Sequence, residues 1–149
     1  MKILAIDYGD KNIGVAISCP NRVFAFGLET IRRSSAQSFK QPILQLREII
    51  REHDVRTLVL GFPKNMDGTI GTRCEKTLEF RDRLQRNFKS MEIILWDERM
   101  SSLSQERVMS ELALSKDEIK KNIDEAAAIY ILQGYLERIR RETKENNFG

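Results

Sequence analysis

With 149 residues, the chain suits one compact domain with a single core and leaves little room for a second. Hydrophobic residues make up 41% and charged residues 32%, a globular composition that excludes a disordered chain. The net charge of +3 permits a nucleic-acid partner without requiring one, because a true footprint is a local patch.

Lys2 to Asp7 reads as a buried strand, Asn12 to Cys19 as a second and Arg22 to Ile31 as a third. Tyr8 to Lys11 and Pro20-Asn21 supply the turns, so the three form an antiparallel meander. Phe39, Ile43, Leu46, Ile49 and Ile50 then recur at helical spacing up to about His53. Thr57 to Phe62 is a fourth strand, ended by Gly61 and Pro63. A charged helix follows, with Leu78, Phe80, Leu84 and Phe88 among its apolar positions, and Met91 to Trp96 is the fifth strand. Ser102, three residues before Gln105, forms a capping-box pattern for another helix. Asn122 and Glu125 start the last helix, which is expected to reach about Arg141, with a polar, frayed tail from about residue 142. Helical crossovers between apolar strands imply parallel neighbours, so the fold class is α/β with a mixed five-stranded sheet flanked by helices.

Two cysteines, Cys19 and Cys74, make no disulfide framework and fit a reducing compartment. The first apolar run ends at Asp7 and is too short for a signal peptide's apolar centre. No stretch approaches the roughly 20 apolar residues of a membrane span. The expected setting is cytoplasmic.

If strands one, four and five run parallel, their C-terminal ends share one edge, where open α/β sheets bind their ligands. Asp7 ends the first of these strands, the segment from Gly61 to Gly68 follows the second, and Asp97-Glu98-Arg99 ends the third. Neighbouring strand residues point oppositely, so one of Asp97 and Glu98 faces the site. Asp124 lies in the first turn of the last helix, where acids also serve the helix dipole; Glu125 fits the capping role better and leaves Asp124 free. Ala126, Ala127 and Ala128 let that helix approach the sheet closely. Carboxylates gathered from separate segments repel unless a cation neutralises them, and oxygen-only donors suit Mg²⁺ or Mn²⁺. One His and two scattered Cys offer no zinc site. Lys64, Asn65 and Arg73 flank the same edge as candidate phosphate contacts. His53 reads as the end of a surface helix, Trp96 as core, and Arg138, Arg140 and Arg141 as a solvated helix end.

These motifs together resemble the YqgF family of Holliday-junction-resolvase-like proteins, which are linked to maturation of precursor 16S ribosomal RNA. Ala5-Ile6-Asp7-Tyr8-Gly9 with Ile13-Gly14-Val15-Ala16 resembles the family's opening, and Gly61-Phe62-Pro63 with Asn65-Met66-Asp67-Gly68 its second motif. Asp97-Glu98-Arg99 with Ser101-Ser102, and Asp124 with Ala126-Ala127, resemble the last two. The resemblance runs in order from Lys2 to about Leu136. It implies an RNase H-like fold and a metal-dependent nuclease with Asp7, Glu98 and Asp124 as catalytic and metal-holding acids. Lys64, Asn65, Arg73 and Arg99 are the expected substrate contacts. Asp10 and Glu125 depart from the family pattern and add negative charge beside the site. The expected partner is nucleic acid, either precursor rRNA or branched DNA, and the expected state is a monomer or homodimer. Competing functions are a non-catalytic RNA-binding factor on the same fold and one half of an actin-type ATP-binding protein. The latter needs two such domains, and this chain supplies one.

Overall fold

The structure, a computed structural model, describes residues 2–35, 38–62, 71–97 and 123–148; in the last segment the described side chains are those of 126–143. Strand β1 (Lys2–Tyr8) pairs antiparallel with β2 (Asn12–Ser18), and β2 pairs antiparallel with β3 (Ala25–Arg32), which is the expected meander. Helix α1 (Lys40–His53) carries the chain to β4 (Val55–Phe62), parallel to β1. Helix α2 (Thr72–Asn87) leads to β5 (Glu92–Asp97), parallel to β4. The last helix described, α3, spans Ile123–Phe148. The sheet order is β3-β2-β1-β4-β5.

Alternation along β1 divides the core in two. Leu4, Ile6 and Tyr8 face α1 and α2, where they meet Leu46, Phe80 and Leu84. Burying a ring such as Phe80 completely contributes roughly 1.5–3 kcal/mol. On the opposite face, Ile3 and Ala5 pack with Ala128, Ile131 and Leu132 of α3. Ala5 stands directly across from Ala16, and with Ala128 these small residues let α3 lie close to the sheet. Trp96 is buried on this α3 face, as expected of a core residue.

Several boundaries differ from expectation for local reasons. Strand β3 begins at Ala25 and not at Arg22, because Cys19 to Phe24 closes a turn. There the Cys19 N–H donates to the Phe24 carbonyl at 2.9 Å and the Arg22 N–H to the Cys19 carbonyl at 3.0 Å, with Arg22 at φ 61°. Strand β4 begins two residues early, at Val55, because Asp54 at φ 51° turns the end of α1 straight into it. Helix α3 runs past Arg141 to Phe148, so the expected frayed tail is helical. An Arg138–Glu142 pair, spaced i to i+4 with 3.1 Å between Nε and Oε1, supports that extension. The helix expected from Ser102 lies outside the described residues, as do Lys64, Asn65, Glu98 and Arg99.

Candidate active site at the C-terminal edge of the sheet

Residues Ile6, Leu60 and Leu95 form one cross-strand row on the α1/α2 face. The next row out therefore faces α3, and it contains Asp7. Gly14 stands directly opposite Asp7 on β2. On the other side, one step beyond the Ile6–Leu60 pair, is Gly61, which is itself level with Trp96. Asp7 is thus flanked on its own face by two residues without side chains. Its half-buried carboxylate sits near the end of a strand, and neither neighbouring strand places a side chain beside it in that row. Trp96 closes the row, and its indole Nε1 is buried with no hydrogen-bond partner among the described residues.

The direction of α3 follows from one side chain. Gln133 accepts from the Ala25 N–H at 3.3 Å and donates to the Val23 carbonyl at 3.4 Å. Ala25 pairs with Ser18, whose Oγ accepts the Ile3 N–H at 2.9 Å, so Gln133 lies at the opposite edge from Asp7. From Gln133 back to Asp124 the helix rises about 13 Å at about 1.5 Å per residue. From Ile3 to Asp7 the strand rises about 13 Å at about 3.3 Å per residue. The backbone of the first turn of α3, which contains Asp124, therefore enters level with Asp7. The Asp124 side chain is outside the described set.

The turn after Asp7 is tightly held. A Cβ on Gly9 would lie 2.6 Å from the Asn12 carbonyl oxygen, so this position accepts only glycine without a shift of backbone. Arg33 donates from Nη1 to the Tyr8 hydroxyl at 2.8 Å and to the Gly9 carbonyl at 3.0 Å, and from Nη2 to the Ser38 carbonyl at 3.2 Å. Its guanidinium lies 5.0 Å from the Tyr8 ring centre. Tyr8 in turn stacks on Phe80 at 4.4 Å. One arginine and one aromatic stack thus fix the backbone that follows Asp7. Nothing in sequence spacing pointed to Arg33, because it acts from a distant strand end.

Beside this turn a cavity of about 280 Å³ is lined by Tyr8, Gly9 and Asp10 and by Thr72, Arg73 and Lys76 of α2. Arg73 is where a phosphate contact was expected. Lys76 is an addition; its spacing of three from Arg73 puts both on one helix face, and that signal was available in the sequence. Lys76 Nζ lies 3.2 Å from Asp10 Oδ2, both side chains about half exposed. Asp10 is therefore engaged by a lysine.

Asp97 is one residue past Trp96 and level with Phe62, on the α1/α2 face and away from Asp7. Among the described residues no three His, Cys, Asp or Glu side chains come close enough to hold an ion. Two of the three expected acids, Glu98 and Asp124, have side chains outside that set.

This sheet order, with an acid next to the end of β1 at the edge where the last helix enters, defines a protein of the RNase H-like resolvase fold. T. thermophilus RuvC, in a complex with a Holliday junction substrate, superposes with a TM-score of 0.61 at 13% identity, covering 94% of this chain and 96% of that one. Fowlpox virus resolvase, in a complex with Holliday junction DNA, gives 0.55 at 13% identity, covering 93% and 99%. At such identities the likeness is one of fold. The RuvX family profile, described as Holliday junction resolvase, matches residues 1–138, and the chain belongs to that family. Among similar proteins, one from Acetivibrio thermocellus is 47% identical over 92% of this chain and 96% of its own length. One from Agathobacter rectalis is 45% identical over 92% and 95%. Both bear the name "Putative pre-16S rRNA nuclease".

Proposed function

We propose that this chain is a metal-dependent endonuclease that cleaves phosphodiester bonds in structured nucleic acid, processing the 5′ end of precursor 16S ribosomal RNA. The observation that carries this reading is the row Gly14–Asp7–Gly61: a carboxylate near a strand end, flanked by two glycines and level with the first turn of α3. The names of the similar proteins supply the substrate.

Asp7, Glu98 and Asp124 are the residues that would hold Mg²⁺ or Mn²⁺. The donor set fits, since hard cations of this kind take carboxylate oxygens. Asp97 faces away from Asp7 and is therefore not among the proposed ligands. When bound, such a cation supplies Lewis acidity toward the attacking water and the leaving oxygen. The protein's own part is to orient and to neutralise. Asp7 is held in place by the Gly9 turn and by Arg33, so little rearrangement is needed on binding. Arg73 and Lys76 at the start of α2 bear on the phosphates beside the cleaved bond, with Lys64, Asn65 and Arg99 as further contacts. Cytoplasmic action belongs to the same reading.

A second reading, resolution of four-way DNA junctions, is favoured by the junction complexes that share this fold. The test is incubation of the protein with a precursor 16S rRNA 5′ end and with a four-way DNA junction, each with and without Mg²⁺ or Mn²⁺. Metal-dependent cleavage of the RNA at a discrete position is the expected result. Cleavage of the junction alone would move the substrate to DNA. Binding of RNA with no cleavage under any metal would make the protein a non-catalytic RNA-binding factor.

A further inference from the structure

The modest net charge hides a concentrated patch. The chain carries 25 basic and 22 acidic residues in total. Three cavities open along α2 and its junction with α1, and their linings are far from that balance. The first is the 280 Å³ cavity beside Gly9, with Arg73 and Lys76. The second, about 420 Å³, lies between the two helices and is lined by Lys40, Arg47 and Arg83. The third, about 770 Å³, opens at the opposite edge, where β4 and β5 begin, and takes in Arg56, Arg86 and Lys89. All of these basic side chains are exposed. Among the described residues, the only acid lining any of the three is Asp10, which is paired with Lys76. Glu79 lies 3.8 Å from Arg83, a long and exposed contact.

The second and third cavities share Asn87, and the stacked Tyr8 and Phe39 rings join the first to the second. Two of the arginines are laid on rings: Arg83 at 4.3 Å from the Phe39 centre and Arg47 at 5.6 Å from that of Phe88. A stacked guanidinium has already given up much of its freedom and keeps N–H groups at its edge for a planar anion. From Arg73 to Arg86 is about 20 Å along the helix at about 1.5 Å per residue. An A-form RNA strand spaces its phosphates along the axis no farther apart than the about 3.4 Å of a B-form strand, so this length spans at least about six.

We infer that the α1/α2 groove, on the sheet face away from α3, is a second nucleic-acid surface that grips the backbone of a double-stranded arm of the substrate as it leaves the candidate active site. The inference rests on the nuclease reading for its substrate. Charge and continuity select the occupant. Lysine is depleted in protein–protein interfaces, whereas Lys76, Lys40 and Lys89 line the first, second and third cavities of this groove. Contacts of this kind position an arm without reading its sequence.

The test uses the full chain in metal-free buffer and two RNA hairpins. One has a stem too short to leave the candidate site, and the other is the same stem lengthened by about ten base pairs, enough to span six phosphates per strand. The Kd of each is measured across a salt series. The wild type is expected to bind the longer stem more tightly and with a steeper salt slope. The triple variant Arg56→Gln, Arg86→Gln, Lys89→Gln should lose about two to three units of that slope on the long stem, since each phosphate contact contributes about 0.9. On the short stem its slope should match the wild type. The charge-retaining variant Arg56→Lys, Arg86→Lys, Lys89→Arg should recover the slope, which a folding defect would not allow. A triple Gln variant that keeps the wild-type slope on the long stem overturns the groove. So does a variant that loses polyglutamate binding while its RNA slope stays unchanged, which would assign the face to an acidic polypeptide. A wild type that binds the short stem and gains nothing from the longer one overturns the groove alone; a wild type that binds neither stem, and that cleaves no RNA once Mg²⁺ or Mn²⁺ is added, removes the nuclease reading with it.

Discussion

Asp7, next to last in its strand, and Asp97, last in its own, stand at one edge of the sheet on parallel strands and face opposite sides of it. Counted outward from the row Ile6–Leu60–Leu95, Asp7 lies one residue past it on the α3 side, and Asp97 lies two past it, back on the α1/α2 side. Two acids at the ends of parallel strands therefore have different surroundings. Asp7→Asn keeps size and one oxygen but removes the charge that would hold a divalent cation. The expected loss in cleavage rate is a hundredfold or more, since about 1.4 kcal/mol is tenfold and a lost ion contributes several kcal/mol. Asp97→Asn should cost less than about tenfold by the same conversion. Single-turnover cleavage rates for the two variants check this, and equal losses would refute the assignment of faces.

The Asp10–Lys76 pair leads to a prediction about charge. Both partners are about half exposed, so their separation should change stability by no more than about 1 kcal/mol. Its effect on binding should be larger. Asp10→Asn frees Lys76 and removes a negative charge beside the phosphate path. RNA affinity at low salt should rise several-fold, and the gain should vanish near 1 M salt, where the screening length is about 3 Å. Lys76→Ala should do the reverse and lower the salt slope by about one unit. Unchanged affinity in both variants at low salt would remove Lys76 from the binding surface.

Gly9→Ala tests how far the turn holds the site. The new methyl would sit 2.6 Å from a backbone oxygen, with no flexible side chain to yield. Overpacking of this kind costs about 1–3 kcal/mol, readable as a lower urea midpoint. Because Asp7 is two residues earlier on the same strand end, the cleavage rate should also fall at temperatures where the variant remains folded. A destabilised variant with the wild-type rate would show that the turn supports folding and not the site.

Cys19 and Cys74 should differ sharply in reactivity. Cys74 is fully buried on α2 and should resist alkylation in the folded protein. At Cys19 burial pushes the thiol up, but the backbone N–H groups of Phe24, Val23, Asn21 and Arg22 outweigh it, and the net shift is downward. Val23 and Phe24 lie 3.4 and 3.2 Å from the sulfur. The folded protein should therefore alkylate at Cys19 with a pH midpoint below that of the same thiol in the unfolded chain. Mass spectrometry of the labelled site across a pH series reads both effects, and a higher midpoint in the folded state would contradict the hydrogen-bonded turn.

Local physics wrote much of this protein into its sequence. Short apolar runs bounded by turn residues mark the strands, the spacing of Ile43, Leu46 and Ile49 marks α1, and an acid closing an apolar run marks Asp7, because these signals depend only on residues a few positions apart. The start of β3 and the end of α3 were misjudged where backbone hydrogen bonds and an i to i+4 pair outweighed composition. The features that make Asp7 a site could not be read this way. Gly14 and Gly61 become its neighbours only through strand pairing, and the face Asp97 takes depends on register across three strands. The basic groove is the extreme case. Its arginines and lysines are scattered among acids along α1, β4 and α2, and only the packing of the two helices on one sheet face turns the basic ones toward a common surface. Charge acts through space, over distances set by screening rather than by the count of residues, so a linear reading averages such a patch down to +3.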